Sequence, residues 1–200
     1  MKLATLLASA AATALAAPAS SPASGINARQ FEVLYPYQTF RYWVQTGAVK
    51  EDPRNQPLVL KNGNQADETT TILTFQVPPE FEGRRCQLHF ELWDRDVSTG
   101  SHQADVFTVI DPPTGDVPAA NLKNWRPAKI AETERSRDVH QGRVEVEAPG
   151  IAEWIESFHG YPEFDCPAGT LFAIEYVGVN DAVEISWDIG VTGPTLRPIF

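Results

Sequence analysis

Cysteine is scarce: Cys86 and Cys166 are the only two in 200 residues. That excludes a framework of several disulfides, and it excludes a closed zinc site built from cysteine alone. The four histidines, His89, His102, His140 and His159, have no ligand-type spacing with the cysteines. Long apolar runs are missing as well. The one candidate, Leu3 to Ala14, is far shorter than the ~20 residues a membrane-spanning helix needs. The ending Arg197-Pro198-Ile199-Phe200 lacks the small-residue site and hydrophobic tail of a lipid anchor, so no membrane anchor is expected. Positive charge is outnumbered, 16 basic against 26 acidic residues, for a net charge of −10. Such a surface repels phosphate backbones and anionic headgroups, which argues against nucleic acid as a partner. There is no Gly-x-Ser-x-Gly, no His-Glu-x-x-His, no glycine-rich phosphate loop and no Asn-x-Ser/Thr sequon. No cofactor is implied.

The first residues have the three parts of an export signal. Met1-Lys2 is a cationic start, an apolar run follows, and Ala14-Leu15-Ala16 offers small side chains to a signal peptidase. Residues 1–16 are therefore expected to be removed, which takes away Lys2 and moves the net charge from −10 to −11. Residues 17–28, with Pro18-Ala19-Ser20-Ser21-Pro22-Ala23-Ser24-Gly25 among them, read as a flexible lead-in. Residues 29–200 are one domain's worth of chain. Exported into an oxidising compartment, an even pair of cysteines is most simply a disulfide; a catalytic thiol would need a free cysteine beside a base. A Cys86–Cys166 bridge would close 80 residues (166 − 86). In the loop-entropy description that is worth roughly 4–5 kcal/mol.

Period-two alternation dominates the rest. Cys86, Leu88, Phe90 and Leu92 oppose Gln87, His89, Glu91 and Trp93. Leu73, Phe75 and Val77 share a face, as do Phe172, Ile174 and Tyr176 against Ala173 and Glu175. Val183, Ile185, Trp187 and Ile189 repeat the pattern, and Phe31, Val33 and Tyr35 open the domain with it. These read as half-buried strands with one face on a core. Proline and glycine clusters such as Asp111-Pro112-Pro113-Thr114-Gly115 punctuate them. The expectation is an all-β fold, a β-sandwich of antiparallel strands with one disulfide and long loops. Ile151, Trp154, Ile155 and Phe158 fit helical spacing, but the same stretch also fits a strand, the reading preferred here. Residues 112–141 read as a long loop with one helical turn near Ala131–Ser136.

Candidate chemistry is sparse. Asp94 and Asp96 flank Arg95 just past a strand, with Glu91 or Asp105 as possible partners. Two carboxylates across a cleft would suffice for a glycoside hydrolase, and the same acids could contribute oxygens to Ca²⁺. The competing reading is a solvated turn with local ion pairs. Among five tryptophans, Trp187 is in phase with core positions, whereas Trp93 lies on a polar face and Trp125 in the long loop. Trp93 and Trp125 are the candidate contact residues, since indoles stack on sugars and anchor interfaces. The alternative is that each covers the core edge.

Around the cysteines the sequence resembles a known family. The segments Thr71-Ile72-Leu73-Thr74-Phe75-Gln76-Val77-Pro78, Gly83-Arg84-Arg85-Cys86-Gln87-Leu88-His89-Phe90, Phe164-Asp165-Cys166-Pro167-Ala168-Gly169 and Val183-Glu184-Ile185-Ser186-Trp187-Asp188 carry the likeness, with Phe31-x-Val33-x-x-Pro36 before them. They are similar to the fungal ubiquitin-three-binding protein But-two C-terminal domain family. The resemblance implies a β-sandwich, a fungal source and frequent secretion, and the two cysteines match the family's cysteine positions. It supplies no catalytic residues, residues 111–141 have no counterpart, and the ending after Gly190 differs. The family name suggests an intracellular partner, which the export signal opposes. The expected role is a secreted, non-catalytic binding or structural module at a fungal cell wall or host surface, with wall polysaccharide or a host surface component as partner. The alternative is an extracellular glycan hydrolase using the paired carboxylates. Protein recovered from culture medium is expected to begin near Ala17 by intact mass, and to resist alkylation until reduced.

Overall fold

From Arg85 to Leu92 side chains point alternately into the core and outward: Cys86, Leu88, Phe90 and Leu92 are buried, while Gln87, His89 and Glu91 are half-buried. A computed structural model describes residues 32–52, 56–114, 126–127 and 136–199. The expected signal segment 1–16, the lead-in 17–28 and Trp125 lie outside the described residues. The strands, in chain order, are β1 (Gln38–Trp43), β2 (Ala48–Glu51), β3 (Leu58–Lys61), β4 (Thr69–Gln76), β5 (Arg85–Leu92), β6 (Val97–Gly100), β7 (Gln103–Ile110) and β8 (Arg126–Pro127). They continue with β9 (Ser136–Glu145), β10 (Gly150–Ile151), β11 (Glu153–Ser157), β12 (Glu163–Asp165), β13 (Leu171–Gly178), β14 (Val183–Ser186) and β15 (Gly193–Ile199). Among the described residues the only helical element is one 3-10 turn, Pro79–Phe81, and no helix is long and apolar enough to cross a membrane.

Two antiparallel sheets form a β-sandwich. The larger runs β11-β9-β7-β13-β4-β3-β14-β6, with β1 beside β4, β2 beside β1, and a short parallel pairing of β8 with β9. The smaller is organised on β5. One edge of β5 takes β15, from Gly193 opposite Glu91 to Ile199 opposite Arg85. The other edge is shared by β12, opposite Arg85–Gln87, and β10, opposite Glu91 and Leu92. Beyond β15, Leu34 bridges Leu196 through two backbone hydrogen bonds, 2.8 and 2.9 Å. The inner faces interlock in one cluster that includes Leu73, Phe75, Val106, Val144, Ile174 and Tyr176 from the larger sheet and Leu88, Phe90, Leu92 and Leu196 from the smaller. Phe90 meets Tyr176 and Trp187 edge-on, with centroids 5.2 and 5.1 Å away.

The disulfide joins Cys86 to Cys166, with Cα atoms 4.9 Å apart. Cys166 follows β12 directly, and its N–H donates to the Arg84 carbonyl at 2.9 Å. The bridge therefore fastens β12 to β5 within the smaller sheet, and closes the chain that carries β6 through β11.

Several expectations are corrected. The strands are not uniformly half-buried: β4 is buried continuously from Thr69 to Phe75. A second cluster, Phe40, Tyr42, Val49, Ile72, Val109 and Ala173, covers its other face. Glu175, expected on an outward face, is fully buried. It persists because Arg137 donates through Nε and Nη2 at 2.9 and 2.8 Å, and the Thr70 hydroxyl donates to Oε1. Residues 112–141 are not a loop throughout, because β9 begins at Ser136, pairs with β7 and rules out a helical turn reaching Ser136; residues 131–135 lie outside the described residues. The opening strand reduces to the Leu34 bridge: Leu34 packs on the core and Tyr35 is exposed, the reverse of the expected parity. The segment after Gly150 is β-strand, as preferred. Trp187 is buried in the core, although β14 itself stops at Ser186.

Removing one member of a buried ion pair strands the other's charge, a loss of about 3–5 kcal/mol. Arg137→Met, which leaves Glu175 with only Thr70, is expected to destabilise the domain by about that much in urea unfolding. Arg137→Met with Glu175→Leu should recover most of it.

Candidate functional site

The outward row of β5 continues past the strand end to Trp93, and cross-strand register decides what lies beside it. Arg197 is opposite Gln87, Thr195 opposite His89, and Gly193 opposite Glu91 on β15; Ile151 on β10 flanks Glu91 from the other edge. At this end a groove of about 480 Å³ opens, lined by Glu91, Leu92, Trp93, Asp94, Arg95, Pro149, Gly150 and Ile151. Two apolar side chains stay in solvent there, Trp93 at 48 % and Ile151 at 60 % exposure. Isolated exposed apolar residues are ordinary, but two at the rim of a groove mark a contact surface.

The turn after β5 sets the indole. The Asp96 carboxylate accepts the Trp93 backbone N–H at 2.7 Å, and the Asp96 N–H donates to the Trp93 carbonyl at 3.0 Å. That is an aspartate closing a turn on the backbone three residues before it, a local use of Asp that turns favour. The Arg95 guanidinium lies 5.5 Å from the indole centroid and is held by Asp188 at 3.1 Å. A cation over the ring backs the indole from one side. Gly193, at φ +91°, keeps β15 against the core here: a Cβ would fall 2.1 Å from Trp187 Nε1.

Acids and bases stand close together on and beside this face. Arg85 pairs with Asp165 at 3.4 Å, His89 with Glu91 at 3.4 Å and Arg95 with Asp188 at 3.1 Å. Arg85, Arg95 and Arg197 thus offset part of the acidity that a chain of net charge −10 brings to this face. The Cys86 and Cys166 bridge anchors the opposite end of β5 on its inner side.

The candidate residues from the sequence divide. Trp93 and Asp94 line the groove, and both are exposed. Asp96 serves the turn and is not among the lining residues. Trp125 lies outside the described residues. Of the possible carboxylate partners, Glu91 lines the groove, whereas Asp105 sits on β7 of the larger sheet, paired with Arg143 at 2.8 Å. Sequence reasoning missed Ile151, Pro149 and Arg95 as lining residues. The strand alternative for 150–158 held the signal, since only a strand sets Ile151 opposite Glu91. Among the described residues no cluster of three or more His, Cys, Asp or Glu is placed to hold a metal. No family model matches this chain, and no curated protein matches it in sequence.

His89 in the middle of this face is mostly covered, and its pKa is lowered from 6.5. Burial is the main cause, followed by the Arg197 charge on β15, against the raising effect of Glu91. The unfolded chain takes up a proton near pH 6.5 that the folded chain refuses until lower pH. Stability therefore falls as pH drops below 6.5, flattens once the folded-state pKa is passed, and is unaffected by this group above 6.5. His89→Gln is expected to reduce the loss of denaturant midpoint between about pH 7.5 and 5.5, and to leave it unchanged at the upper end.

Proposed function

We propose that this chain is a secreted, non-catalytic binding module that holds polysaccharide of a fungal cell wall or a host surface on the outer face of its smaller sheet. The observation that carries the reading is the Trp93 ring, half exposed at the rim of a groove whose other walls offer Ile151 and the polar groups of Glu91, Asp94 and Arg95. An aromatic face beside hydrogen-bonding groups is what a sugar ring presents its C–H and O–H surfaces to. The disulfide agrees with an oxidising destination. The acids on and beside this face, Glu91, Asp94, Glu163 and Asp165, favour an uncharged ligand over a polyanion.

A second reading, glycan hydrolysis, rests on Glu91 and Asp94 lining the same groove. It needs one carboxyl group as acid and the other as base or nucleophile. Binding without release of reducing ends separates the module from the hydrolase.

Recombinant protein with its disulfide intact is expected to be retained saturably on at least one of glucan, chitin or plant wall polysaccharide. Trp93→Ala should weaken that retention about tenfold, the loss of one aromatic anchor, with unchanged unfolding midpoint. Absence of retention on all three materials would sink the reading.

A further inference from the structure

Trp93 is not the sole aromatic on this face. Leu34 is paired with Leu196 through both backbone hydrogen bonds and packs on the core. Side chains alternate along extended backbone, so Tyr35 projects on the opposite side, and Pro36 after it favours extended conformation at that position. Antiparallel register places Tyr35 beside Thr195, which is itself opposite His89. The Tyr35 side chain is free in solvent, at 53 % exposure. One row across the smaller sheet thus reads Tyr35, Thr195, His89, and four residues further along β5 stands Trp93.

The distance between the two rings follows from sheet geometry. Tyr35 and His89 are two strand spacings apart, about 10 Å, and His89 to Trp93 is four residues of strand, about 13 Å. The diagonal is roughly 16 Å. No single sugar ring bridges that gap. Between the aromatics Thr195 and Gly193 are buried, and the polar groups that reach solvent are the Glu91 carboxylate and the edge of the His89 imidazole. The strip carries no side chain at Gly193, and its one acid, Glu91, lies 3.4 Å from its one imidazole.

We infer that Tyr35 is a second stacking platform, and that the occupant is a segment of a neutral polysaccharide chain lying obliquely across the smaller sheet from Tyr35 to Trp93. This rests on the groove being a polysaccharide site and adds to it the ligand's length, its path and its lack of charge. An acidic polymer would face Glu91, Asp94, Glu163 and Asp165, against which only Arg197 on β15 stands beside the acid-paired Arg85 and Arg95. Recognition would therefore favour chain interiors over short ends, because two separated platforms add only when one ligand reaches both.

The test is calorimetric titration of the disulfide-intact protein with cellohexaose, laminarihexaose and chitohexaose, with the matching disaccharides, and with a hexagalacturonate as the charged comparison. The expected result is that one neutral hexaose binds at least about tenfold tighter than its disaccharide. Tyr35→Ala should remove that preference, lowering hexaose affinity about tenfold while leaving the disaccharide unchanged. Tyr35→Phe, which keeps the ring, should behave as the original chain, and this variant guards against a folding effect of Tyr35→Ala. Equal affinity for hexaose and disaccharide, or a Tyr35→Ala variant that binds hexaose normally, overturns the second platform and leaves the groove reading standing. Tighter binding of hexagalacturonate than of any neutral hexaose overturns the neutral occupant. Failure of all saccharides to bind overturns the groove reading and this inference with it.

Discussion

The edge-on contact of Phe90 with Tyr176 and Trp187 is the interaction on which the sandwich depends. Phe90 comes from the central strand of the smaller sheet, Tyr176 from β13 in the middle of the larger, and Trp187 from the turn beyond β14. Three large rings from three distant stretches of chain meet at centroid separations of 5.1 to 6.5 Å. Each removes enough apolar surface from water to contribute about 1.5–3 kcal/mol, and edge-to-face geometry adds to that. Burial pushes the Tyr176 hydroxyl well above the ordinary tyrosine value, so the phenol stays neutral within this cluster. Because Phe90 must face inward, strand alternation forces Glu91 and Trp93 outward. The position of the proposed binding face is thus a consequence of core packing.

The two sheets treat their outer faces differently. On the larger, Ile72, Ala173 and Val109 are buried in a cluster of their own, and the charge there is neutralised in place by the Arg137–Glu175 pair. A buried pair of this kind adds little net stability compared with apolar residues, but it ties β9 to β13 across the intervening β7. On the smaller sheet the outward row stays half-buried or exposed, and its charges are arranged in short-range pairs near solvent. Such pairs contribute little to stability.

The fold class was legible because its cause is local. Alternation along Arg85–Leu92 is written in eight consecutive residues, and the cysteine pair needs only a count and a compartment. The parts that were illegible depend on partners distant in sequence. Nothing near Glu175 announces burial, because its neutralising groups arrive from Arg137 and Thr70. The start of β9 was hidden because Arg137 and His140 are polar for a reason lying in other strands, so the apolar half of the alternation is thin there. Of the candidate site, Trp93 stood out as an indole on a polar row. Tyr35 did not, because its orientation is set by the bridge of Leu34 to Leu196 at the far end of the chain. Asp94 and Asp96 looked equivalent in sequence; the hydrogen bond from the Trp93 amide separates them.

Trp187 occupies the volume that any side chain at position 193 would need, with its indole nitrogen 2.1 Å from where a Cβ would stand. Neither residue can vary alone: a larger group at 193 would expel the indole, and a smaller group at 187 would leave a hole under β15. The two positions are therefore coupled by packing: the missing side chain at the first residue of β15 is the space in which the indole six places earlier is seated.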